Sequence, residues 1–167
     1  MQNEKIDTTL HELKISRTLN APIDMVFNAW TDPAQLVKWH APNGCTIHYK
    51  KLNIRVGGEF HSCIHVPDFK DCWCKGTYLE IEKNKRIVYT MCNCDENGNE
   101  IDPVDIGMDK DWPVHTQVTV EFTEANGKTN ITLYQTVSEA LAKKTGAYPS
   151  WLQMLDILEL NLTQKNL

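Results

Sequence analysis

The chain has no apolar run approaching the about 20 residues that cross a bilayer as a helix, and its start, Met1 to Thr9, is polar, without the apolar core of a secretion signal. No membrane partner and a cytoplasmic location are therefore expected. Basic surplus is missing too. Seventeen Lys and Arg stand against 22 Asp and Glu, for a net charge of -5, which speaks against nucleic acid or an anionic membrane, because both are recognised by a basic footprint. There is no nucleophile elbow, phosphate loop or H-E-x-x-H pair. No catalytic residue can be named on that basis, and no cofactor is expected. Internal repeats, linkers and low-complexity stretches are absent. The 167 residues are enough for one domain with a real core, read as a polar extension over 1–10 and a single domain over 11–167. A disulfide framework is not expected either, since six cysteines in a cytoplasmic chain stay mostly reduced thiols.

What the sequence does contain is a long apolar helix placed after a run of strands. Trp151, Met154, Leu155, Leu158 and Leu162 recur at helical spacing between Pro149 and Gln164. Leu13, Ile15, Arg17 and Leu19 alternate as in a strand. Pro22 and Asp32-Pro33 then open two short helices, proline sitting well in a first turn and Asp32 as a cap. Strands are expected over Cys45–Ile54, Glu59–Val66, Trp73–Glu82, Arg86–Cys94, His115–Thr123 and Lys128–Val137, with a bulge or sharp bend at Gly57-Gly58 and a tight hairpin turn at Asn126-Gly127. Ser138 to Lys144 reads as a helical turn before Gly146, and Asp95 to Asp111 as a solvated acidic loop. The order β-α-α-β-β-β-β-β-β-α gives an α+β domain with helices on one face of an antiparallel sheet. A long apolar helix arriving last must lie across that sheet, and a curved sheet gripping it can leave a cavity between them.

Six segments, in this order, resemble the activator-of-Hsp90-ATPase-homologue family: Phe27-Asn28-Ala29-Trp30-Thr31-Asp32-Pro33 running on to Trp39-His40-Ala41-Pro42; Val56-Gly57-Gly58-Glu59-Phe60; Gly76-Thr77-Tyr78-Leu79-Glu80-Ile81; Arg86-Ile87-Val88-Tyr89-Thr90; Gly127-Lys128-Thr129 leading to Thr132-Leu133; and Trp151-Leu152-Gln153-Met154-Leu155 with Leu158. The resemblance spans about Leu13 to Leu162. It implies the START-like, Bet v 1-like helix-grip fold: a curved antiparallel sheet of about seven strands wrapped on a long C-terminal helix, with two short helices after the first strand. The chain is expected to lack the additional N-terminal domain that the eukaryotic cochaperones carry, which speaks against Hsp90 activation. Superfamily members bind lipids, hormones or polyketides, and a few catalyse. The implied function is non-enzymatic binding of a small apolar molecule. The alternatives are a chaperone-accessory or other protein-interaction domain acting through its surface, in a stress-response setting, and a cyclase- or hydrolase-like enzyme using the cavity.

Phe27, Trp30, Trp39, Phe60, Trp73, Tyr89, Met91, Trp151, Met154, Leu155 and Leu158 are the candidate cavity lining, with His40 at the mouth as a lone acid-base candidate. His61, Cys63 and His65 alternate on one strand, and Cys72-x-Cys74 and Cys92-x-Cys94 face each other across a hairpin. If Glu82 pairs with Arg86, Cys74 lies opposite Cys94. Cys72, Cys74, Cys92 and Cys94 have donors for zinc. Their C-x-C spacing is not that of a zinc knuckle, however, and the odd-numbered Leu79, Ile81, Ile87 and Tyr89 read as core-facing. That puts the cysteines outside as free or redox-labile surface thiols, with no stoichiometric metal expected.

Overall fold

The computed structural model describes residues 12–165; the polar extension over 1–10 lies outside the described residues. Its strands are β1 (Glu12–Leu19), β2 (Thr46–Leu52), β3 (Glu59–His65), β4 (Cys72–Glu82), β5 (Arg86–Asn93), β6 (His115–Ala125) and β7 (Lys128–Ser138). Its helices are α1 (Ile23–Thr31), α2 (Pro33–Leu36), α3 (Glu139–Thr145) and α4 (Ala147–Lys165). The seven strands form one antiparallel sheet in the order β1-β7-β6-β5-β4-β3-β2.

Local chemistry sets the element ends. The Asp32 carboxylate accepts from Ala34 N at 3.1 Å and starts α2, with Pro33 just inside it. Ser138 caps α3 through Leu141 N, and Gly146, at φ 90, ends it. Asn126 and Gly127 take φ 57 and 78, which closes the β6–β7 hairpin in the turn that matches strand twist. At the β2–β3 turn, Gly58 is wedged against backbone: an added Cβ would lie 2.0 Å from the Asn53 carbonyl oxygen.

Along β1, β6 and β7 the inward residues alternate with exposed or half-buried ones. Leu13, Val118, Val120, Ile131 and Leu133 are fully buried, and α4 lays Trp151, Met154, Leu155, Leu158 and Leu162 over them in one core. The helix is gripped, as the sequence order requires.

The β4–β5 hairpin corrects the expected register. Glu82 does pair with Arg86 and Ile81 with Ile87, but Tyr78 pairs with Tyr89 and Glu80 with Val88. Leu79 is the extra residue of a β-bulge and is exposed rather than core-facing. Everything before it on β4 changes face. Cys74 therefore sits opposite Asn93, not Cys94. Cys72 and Cys74 turn inward with Tyr78, while Trp73 turns outward. Cys92 and Cys94 stay on the outer face, yet both are buried rather than surface thiols.

Candidate functional site

A cavity of about 310 Å³ lies between the sheet and the first half of α4. Its walls are Ile47, Tyr49, Phe60, Ile64, Tyr89 and Met91 from the sheet, Trp151 and Met154 from α4, and His40 and Pro42 from the segment after α2. Ser62, Cys72, Cys74, Asn93, Thr116 and Gln135 add polar edges. Among the described residues no Asp, Glu, Lys or Arg lines it.

Two polar arrangements fix its shape. Trp151 Nε1 donates to Gln135 Oε1 at 3.0 Å, and Gln135 Nε2 donates to Thr116 Oγ1 at 3.1 Å. This buried chain ties α4 to β7 and β6 through one indole. At the other end the His40 ring touches Trp39 and Trp151, with centroids 5.0 and 5.9 Å away, and its Nδ1 lies 3.3 Å from the Tyr49 hydroxyl. Burial lowers the His40 pKa to about 4 and raises those of Tyr49 and Tyr89, because a charged form would lose its water there. All three groups are neutral at physiological pH. Beside them is a void of about 20 Å³ bordered by Trp30, His40, Tyr49 and Tyr89, room for one water. Trp30 Nε1 and the Tyr89 hydroxyl are buried without a partner among the described residues.

His40 carries a pH prediction. Between pH 4 and 6.5 the unfolded chain binds a proton that the folded chain refuses, so stability falls as pH drops through that window. The loss should reach roughly 2–3 kcal/mol by pH 4. Thermal melts against pH would read it, and His40→Asn should flatten the slope. An unchanged slope in that variant would place the titration elsewhere.

The acidic stretch after β5 does more than carry solvated charge. Asp95 accepts from Asn97 N and Asn99 N and builds its own turn. Asp102 caps the short 3-10 turn Pro103–Ile106, and Asp109 reaches Lys144 of α3 at 3.0 Å. Held this way, the segment brings Met108, Trp112 and Val114 over the cavity mouth. Sequence reasoning missed these three, and also Ile47, Tyr49 and Gln135. Ile47 and Tyr49 were open to detection, since they share one face of β2 by alternation.

Of the expected lining, the structure gathers His40, Phe60, Tyr89, Met91, Trp151 and Met154 at the cavity. Phe27, Trp30, Trp39, Leu155 and Leu158 lie in the packed core instead. There Trp39 Nε1 bonds the Ala29 carbonyl, and Phe27 meets Phe122 edge-on. Trp73 is displaced to the far side of the sheet, between His48 and His61 and under the Lys50 ammonium. The four cysteines do not converge, because the bulge separates the two pairs onto opposite faces.

A seven-stranded antiparallel sheet closed over one long C-terminal helix, with two short helices after β1, is a helix-grip, START-like domain. The chain belongs to the Activator of Hsp90 ATPase homolog 1-like protein family, whose model matches residues 20–163. Solved structures agree on the fold. A Staphylococcus epidermidis protein is 25% identical with TM-score 0.76, over 99% of this chain and 95% of that one. Protein CV1439 of Chromobacterium violaceum is 23% identical with TM-score 0.74, over 92% and 97%. An Arthrobacter aurescens protein is 19% identical with TM-score 0.80, over 96% and 90%. No curated protein matches in sequence.

Proposed function

We propose that the protein binds a small, neutral, mostly apolar molecule beneath α4 and does so without catalysis. The cavity itself carries this reading: about 310 Å³, apolar over most of its wall, with a few polar groups at its ends. The absence of charged lining argues for a neutral ligand, because a carboxylate or ammonium would lose its water without gaining a counter-charge. The Tyr89 hydroxyl, buried and unpartnered, supplies a hydrogen bond to a ligand hydroxyl or carbonyl. His40 is held neutral and lacks a carboxylate partner, so it suits a hydrogen bond better than proton transfer.

Neutral aromatic, fatty or polyketide-like compounds bearing a hydroxyl should raise the melting temperature, following RT ln(1 + [L]/Kd), or about 2.7 kcal/mol at 100 Kd. Nucleotides should not. Tyr89→Phe deletes a hydroxyl that has no partner and should leave stability within about 1 kcal/mol. It should weaken hydroxyl-bearing ligands by about 5- to 10-fold, the worth of one hydrogen bond, and leave hydrocarbons unaffected. A broad neutral library giving no shift, together with an experimental structure whose interior is filled by side chains, would defeat the reading. A second reading has Val104, Ile106 and Val114, exposed on the covering segment, meet a protein partner such as a chaperone; a pulldown retained by ligand-free protein would favour it.

A further inference from the structure

The outer face of the sheet carries a second set of chemical groups, of which only Cys92 also borders the cavity. We propose that Cys92, Glu100 and His115 form a three-ligand site for a divalent transition metal, zinc being the best match. Cys92 and His115 are directly opposite each other on β5 and β6, so their side chains rise side by side from one face. Glu100 arrives from the returning chain, fixed by an antiparallel bridge to Cys94 and by the bond from Ile101 N to Asn93 O. Backbone pairing thus positions all three.

The Cys92 sulfur, a Glu100 carboxylate oxygen and a His115 ring nitrogen all lie within 4.8 Å of one another, and His115 Nε2 is 2.9 Å from Glu100 Oε1. Tetrahedral zinc, with sulfur at about 2.3 Å and nitrogen or oxygen at about 2.0 Å, spaces its ligand atoms about 3.3–3.6 Å apart. Small side-chain rotations close that difference. The donor set mixes thiolate, imidazole and carboxylate, which favours zinc over calcium or magnesium. One thiolate and one carboxylate balance a dication around a neutral imidazole. Lys75 pairs with Cys92 from β4, but its ammonium is engaged by the Gly98 carbonyl at 2.7 Å. The trio lines an open groove of about 480 Å³, which leaves a fourth position for water or an external donor. This departs from the metal-free expectation, which weighed the two C-x-C pairs together; only Cys92 of those four takes part.

The test is titration of chelator-treated, tag-free protein with cobalt(II) alone, followed by zinc. One equivalent of cobalt should give a thiolate-to-metal charge-transfer band that zinc abolishes. Cys92→Ser should remove the band. His115→Ala and Glu100→Gln should each weaken binding more than about tenfold, since loss of even a supporting partner costs about 10- to 100-fold. The Cys72→Ser, Cys74→Ser double variant should bind as the parent does. Cys92 is buried, so its variant needs a melt to check folding; His115 is exposed, and His115→Ala decides the matter if Cys92→Ser fails to fold. No band, a band untouched by His115→Ala, or one lost only in the Cys72, Cys74 variant would overturn the site.

Discussion

A chain ending at Gly146 should be insoluble or molten, without a cooperative melt. The segment removed carries Trp151, Met154, Leu155, Leu158 and Leu162, each no more than 8% exposed. Each such side chain contributes roughly 1.5–3 kcal/mol on burial, and the five together rival the about 5–15 kcal/mol that holds a whole domain. The loss goes beyond apolar area. Gln135 Oε1 would also lose the Trp151 indole N–H from which it accepts in the buried chain to Thr116, and a lost hydrogen bond costs about 0.5–1.5 kcal/mol more. Dispersed NMR signals and a sharp transition in the truncated chain would mean that the sheet does not depend on α4.

Gly76→Ala should also be strongly destabilising, although it adds one methyl group. A Cβ there would lie 1.8 Å from the Thr90 carbonyl oxygen and 2.6 Å from the Phe60 ring. The carbonyl belongs to the neighbouring strand and cannot step aside. The ring packs with Tyr78 and Tyr89 at centroid distances of 5.9 and 5.8 Å, so it has nowhere to retreat but the cavity. Overpacking of this kind costs about 1–3 kcal/mol and more where backbone is struck. At about 2–4 °C per kcal/mol, a fall near 10 °C is expected. If the variant melts within a degree or two of the parent, the close approach of β4 and β5 at Gly76 is wrong.

Much of the architecture was legible because it rests on local signals. Alternation in β1, β6 and β7, the Asp32-Pro33 start, the Asn126-Gly127 turn and the 3.6-residue stripe of α4 are each written in a few neighbouring residues. The α4 stripe also told the fold, since a helix that apolar needs a sheet to lie on. The site was harder. Trp73 looked like lining because it is aromatic, but aromaticity says nothing about which face a strand presents. One extra residue, Leu79, inverts β4 and no local pattern marks it. Met108 and Trp112 sit in a stretch whose seven carboxylates suggest solvent. Those carboxylates cap turns and reach α3, which is how so polar a segment can hold two large side chains over the cavity.

The Leu79 bulge also decides what kind of sequence change can remake this interior. A substitution on β4 alters one side chain. Gaining or losing a single residue at this point would exchange the strand's two sets of side chains between cavity and solvent, all in one event. Deleting Leu79 would send Cys72, Cys74 and Tyr78 outward and bring Trp73 and Lys75 in, placing an ammonium where nothing can neutralise it. The bulge therefore works as a parity lock: insertions and deletions here rewrite the cavity wholesale, while substitutions change it one residue at a time.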